Sequence, residues 1–166
     1  MIKIRNLTLK GKGRPPTSRA AFKKDIKKLA YNHLGLRIQF VIRKKEGLSY
    51  CNVMKGKAVV CEGVRNKLHP LDILMELTLH EVAHWIQFNE GMFKEYFGTC
   101  YYGGIKKGTR TRKGINRLAL RAERHADMLA AKMMKEFYGM KAPKASIYNN
   151  NKEAKEFLNN YYWMIK

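Results

Sequence analysis

The stretch LMELTLHEVAHWIQF, residues 74–88, is a long apolar run that carries two histidines four apart, His80 and His84, with Glu81 beside the first. Four residues is about one helical turn, so on a helix both imidazoles leave on the same side. Pro70 suits the start of that helix, where its missing N–H costs nothing, and Asn-Glu-Gly at 89–91 marks its stop. Leu71, Leu74, Thr78, Val82 and Trp85 recur at helical spacing and form an apolar face. A greasy helix with two imidazoles on one turn is either half of a metal site or a carrier of two ordinary core histidines.

The pattern His80-Glu81-x-x-His84 is HExxH. Two imidazoles one turn apart can both reach a zinc ion at about 2.0–2.1 Å, and the glutamate between them faces the water that the metal activates. Zinc catalysis needs a third protein ligand and one open position. A second strong helical pattern, residues 115–138, offers Glu123, His125 and Asp127 within "ERHAD". At about 100° per residue, Glu123 and Asp127 share a face that continues through Ala130 and Met134. His125 falls roughly 200° away by the same rotation, on the side of Arg121, Lys132 and Glu136. Glu123 is therefore the expected third ligand. Asp127, one turn on, can accept a hydrogen bond from the second ring nitrogen of a ligating histidine and so fix its tautomer. Glu76, one turn before His80, is either a support for the ligands or an exposed acid at the cleft. His33 and His69 stand alone and are read as structural.

HExxH on one helix with E-x-x-x-D on a later one resembles the gluzincin group of zinc metallopeptidases. "ERHADMLAAKMM" resembles the E-x-x-A-D/N helix of the ImmA/IrrE-like small metallopeptidases. The SprT-like group, DNA-associated proteases, is similar in size and basicity. The resemblance covers roughly residues 18–138. It implies a minimal zincin domain, with His80, His84 and Glu123 as Zn2+ ligands, Glu81 as general base and Asp127 behind them. It implies peptide-bond hydrolysis in a protein substrate, in which Glu81 takes a proton from water and passes it to the leaving amine. The oxyanion helper is unassigned. Tyr96, Tyr101 and Tyr102 are the candidates.

Outward from the motif, the chain reads as one α+β domain of 166 residues. Its core spans about 18–138, preceded by a basic arm (1–17) and followed by an extension (139–166). Ile2 and Ile4 alternate with Lys3 and Arg5, a strand pattern, and "GKGRPPTS" at 11–18 is a linker. Residues 18–35 form an amphipathic helix, with Thr17 or Ser18 as cap, Gly35 as stop and a face of Lys23, Lys24, Lys27 and Lys28. Leu36, Ile38, Phe40 and Ile42 alternate with Arg37, Gln39 and Arg43, which is a half-buried strand. "LSYCNVM" and "KAVVCEGV" are further strands, separated by turn signals at 46–47 and 55–56. A small, mainly antiparallel sheet is expected, a meander, with "KAVVCEG" as the edge that receives an extended substrate. Residues 91–114 read as irregular, and 152–166 as a short closing helix.

Thirty-four Lys and Arg against thirteen Asp and Glu give a formal charge of +21. Such a chain meets polyanions, and nucleic acid or an acidic assembly is the expected partner. "YYGGIKKGTRTRKGINR", 101–117, interleaves Tyr101 and Tyr102 with Lys106, Lys107, Arg110, Arg112 and Lys113. Tyrosine faces stack on bases while cations follow phosphates, so these residues are candidates for nucleic-acid or substrate contact. No apolar leader opens the chain and no run reaches the ~18 apolar residues of a membrane span. Cys51, Cys61 and Cys100 form no CxxC pair. An intracellular, reducing location without a membrane is expected. The Lys-, Asn- and Tyr-rich composition suits an AT-rich genome such as a phage's, and raises association with a virion. The reading from a different class is a basic nucleic-acid-binding or assembly protein, phage structural proteins included, that keeps a zincin fold without hydrolysis.

Overall fold

The computed structural model describes residues 13–45, 47–94, 97 and 112–143, with the side chains of 112–116 outside that set. The expected N-terminal strand, the closing helix, Tyr96 and the 101–111 segment also lie outside it.

Helix α1 spans Arg19–Leu34. Ser18 caps it by accepting from the Ala21 amide, and Gly35 ends it at φ 67°, a left-handed turn that favours glycine. Phe22, Ile26, Leu29, Ala30 and Leu34 form its buried face. The strands are β1 (Arg37–Arg43), β2 (Tyr50–Asn52), β3 (Lys57–Val64) and β4 (Lys67–Leu68). Helix α2 spans Leu71–Asn89 and helix α3 spans Arg112–Tyr138. The latter starts three residues earlier than the sequence pattern suggests.

The class is α+β, with a small mixed sheet. Two of its three ladders are antiparallel, β2 and β4 against β3, but the longest is the parallel pairing of β1 with β3. The order β1-β3-β2 is not a meander. The chain leaves β1, skips one strand position, makes β2, and turns back through a 3-10 turn at Val53–Lys55 so that β3 fills the gap. Turn signals mark where a chain reverses. They do not say which strand it lands beside.

Strand β3 is therefore central and cannot be the receiving edge. Its composition fits this place. Ala58 through Gly63 are all buried, and a near-continuous apolar run is what a strand covered on both faces needs.

One sheet face packs on the helices. Ile38, Ala58, Val60 and Cys51 join Phe22, Ile26, Leu74, Leu79, Val82, Met133 and Phe137 in a single core. Trp85 of α2 donates its indole N–H to the Leu34 carbonyl at 2.7 Å, tying α2 to the end of α1. The buried Glu62 carboxylate of β3 accepts from Lys23 at 2.7 Å and lies 3.5 Å from Arg19. Removing one partner of a buried pair is costly, so this pair holds α1 against the sheet. Cys51 and Cys61 are both buried, and neither forms a disulfide among the described residues. Among the described residues no helix is long and apolar enough to cross a membrane.

Candidate metal centre

The site is made where α2 and α3 pack together. Ala119, Ala122, Ala126 and Ala130 form a fully buried small-residue stripe on α3, and Ala83 on α2 is equally buried. Small residues at a helix contact let the axes approach closely. That proximity is what allows the short Glu123 side chain to reach across to both histidines.

His80 Nε2 lies 3.0 Å from Glu123 Oε2, and His84 Nε2 lies 3.1 Å from the same oxygen. The two Nε2 atoms are 3.0 Å apart. A tetrahedral ion with bonds of about 2.0–2.1 Å wants its donors roughly 3.3–3.4 Å apart. The triangle fits zinc after a shift of a few tenths of an ångström. His80, His84 and Glu123 are also the only such group of potential ligands among the described residues.

The outer ring nitrogens decide what the inner ones can do. His80 Nδ1 meets Asp127 Oδ1 at 2.7 Å. A carboxylate oxygen accepts, so Nδ1 carries the proton and donates. His84 Nδ1 meets Gln87 Oε1 at 2.9 Å. The Gln87 amide is not free to flip, because its Nε2 donates to the Ala122 carbonyl at 2.7 Å, and a carbonyl only accepts. The oxygen of Gln87 therefore faces His84, and His84 Nδ1 also donates. Both Nε2 lone pairs consequently point inward, at each other and at a carboxylate. Three electron-rich atoms at 3.0–3.1 Å are stable only around positive charge.

The proton equilibria follow from the same crowding. Burial alone lowers the pKa of His80, but hydrogen bonds to Asp127 and Glu123 outweigh it and raise the pKa well above that of a free imidazole. His84 is shifted up likewise, with Glu123 overcoming burial. Burial would raise Glu123, yet the two imidazoles hold its carboxyl far below the ordinary range. Glu81 is pushed up, chiefly by burial and partly by Glu123, against the pull of both histidines. Without a metal, the cluster takes its positive charge from protons.

Every residue named from the HExxH and E-x-x-x-D patterns sits at this one place. Glu81 is buried beside the triangle, and its charge adds to the effect of burial in raising the Cys51 thiol. Asp127 stands behind His80, with Oδ2 buried and lacking a hydrogen-bond partner among the described residues. Glu76 is buried, so the exposed-acid reading fails. His125 lies outside the triangle, but it is not a plain solvated residue. Its Nδ1 accepts from Gln87 Nε2 at 3.0 Å and its ring leans on Phe93, while burial lowers its pKa. Gln87, fully buried, escaped the sequence reading. The available signal was a polar residue in an apolar run, three positions after His84. Of the basic-segment candidates, Arg112 and Lys113 lie in the first turn of α3, and the side chains of all of them fall outside the described residues.

No protein-family profile, curated protein or solved structure matches this chain. The site itself carries the functional reading.

Proposed function

We propose that this protein is a zinc-dependent metallopeptidase of the gluzincin type, acting on a protein substrate on or near nucleic acid. The observation that carries the reading is the convergence of three inward lone pairs, from His80, His84 and Glu123, with the carboxyl of Glu81 beside them. Zinc, when bound there, supplies the Lewis acidity that polarises a carbonyl and acidifies water.

The chain's own groups do the rest. Asp127 and Gln87 hold the two imidazoles with Nε2 inward. Glu81, its pKa raised by burial, is suited to take a proton from water and deliver it to the departing amine. Strand β2 stands at one end of the order β1-β3-β2, and its Cys51 feels the charge of Glu81. An extended peptide adding beside β2 would lie next to the reacting groups.

The net charge of +21 supports a polyanionic setting. It equally suits a basic assembly protein without hydrolysis, but such a protein has no use for a buried acid at the position of Glu81. The test is zinc content by elemental analysis together with proteolysis of an unfolded protein substrate. About one zinc per chain is expected, with cleavage lost and zinc retained in Glu81→Gln. A protein that binds zinc but never cleaves would leave the assembly reading.

A further inference from the structure

The outward side of α3 carries a feature that the metal site does not use. From Arg117 to Tyr138 the exposed positions are Arg117, Arg121, Arg124, Met128, Lys132 and Lys135. They follow one another by four, three, four, four and three residues, so they form one straight ridge. Five of the six are cations. At 1.5 Å per residue the ridge is about 27 Å long. Lys132, itself exposed, lies 3.9 Å from Glu136, a pair too solvated to fix either side chain.

The lysine face of α1 is a weaker candidate. Lys23 is bonded to the buried Glu62, and Lys23 and Lys27 lie 5.3 and 5.6 Å from the Phe40 ring centroid. Those side chains already serve the fold.

We infer that the outward ridge of α3 is a docking surface for the phosphate backbone of duplex nucleic acid. This sharpens the nucleic-acid part of the proposed function, on which it rests, and does not depend on the metal. Charge complementarity selects the class of partner: a polyanion with closely and evenly spaced charges matches a rigid line of cations. The ridge has no aromatic side chain, whereas single-strand binding relies on stacking. A stable protein interface wants an apolar or aromatic centre, and Met128, 59% exposed, is all the ridge offers. A ridge that meets phosphates and not base edges reads no sequence, so binding should be indifferent to base sequence.

The test compares the full-length protein with the variant Arg117→Gln, Arg121→Gln, Lys132→Gln, Lys135→Gln. Arg124 is left in place because it holds another interaction. Binding to a random-sequence DNA duplex of about 20 base pairs is measured by fluorescence anisotropy across salt concentrations. Removing one cation from a phosphate should flatten the log–log salt slope by about 0.9, so the quadruple variant should flatten it by up to roughly 3.6, with zinc content unchanged. The single variants Arg121→Gln and Lys135→Gln should each flatten it by about 0.9, which keeps the test open if the quadruple variant misfolds. Neutralising Lys24, Lys27 and Lys28 on α1 should leave the slope nearly intact. An unchanged slope in the ridge variants, with binding by the parent, overturns the assignment of the surface. No binding by the parent at low salt overturns the nucleic-acid reading itself. Tighter binding to a single strand, or equally effective competition by polyglutamate, replaces duplex with those partners and also overturns the inference.

Discussion

The inward and outward sides of α3 are built on opposite rules. Inward, Ala119, Ala122, Ala126 and Ala130 are fully buried, and Glu123 and Asp127 reach from among them to the histidines of α2. Outward, long cations stand exposed to solvent along one line of the helix. The inner side works by position, where an error of an ångström removes a ligand. The outer side works by summed charge, where any one side chain can be spared. Inner substitutions should therefore act sharply and singly, and outer ones gradually and additively.

The largest expected effects fall on the inner side. Glu81→Gln should lower peptide hydrolysis by ~10²-fold or more, the scale of a positioned general base, while zinc stays bound. Full activity in that variant would remove Glu81 from the mechanism. Glu123→Ala should lose most of the zinc and His125→Ala should keep it. Equal loss in both, measured by elemental analysis, would contradict the geometry of the triangle.

Gln87→Leu comes next. It keeps the volume but removes the acceptor that fixes the His84 tautomer, so zinc affinity should fall roughly 10- to 100-fold in a chelator competition. Unchanged affinity would show that the His84 ring is held by packing alone.

Ala126→Leu tests the close approach of the helices. Overpacking a dense contact costs about 1–3 kcal/mol. Thermal melts should show that destabilisation, whereas Met128→Leu on the outer side should change little. Equal effects would erase the contrast between the two sides.

The smallest effect is the pH dependence. In metal-free protein the His80 pKa is raised by Asp127 and Glu123 against the effect of burial. A raised imidazole stabilises fully below its unfolded pKa of about 6.5 and loses that contribution as pH rises through the folded value. Zinc needs the deprotonated imidazoles, so its hold strengthens in the same direction. The gap between the zinc-loaded and metal-free melting temperatures should widen from pH 6 to pH 8. A constant gap would mean that protons do not stand in for the metal.

Much of the inner side could be read from the chain alone. The turn between His80 and His84, and the turn between Glu123 and Asp127, are statements about a helix of 3.6 residues per turn, and local sequence sets that period. Ser18 and Gly35 ended α1 for equally local reasons, a side-chain oxygen and a left-handed turn. Tertiary structure alone decided the rest. The place of β3 between β1 and β2 depends on pairings between distant segments, which turn residues do not encode. Gln87 acquires its role from the Ala122 carbonyl on another helix, since only that contact orients its amide toward His84. The inward lone pairs exist because two helices lie close enough for four side chains to settle one another's protons, a condition that no single stretch of sequence can state.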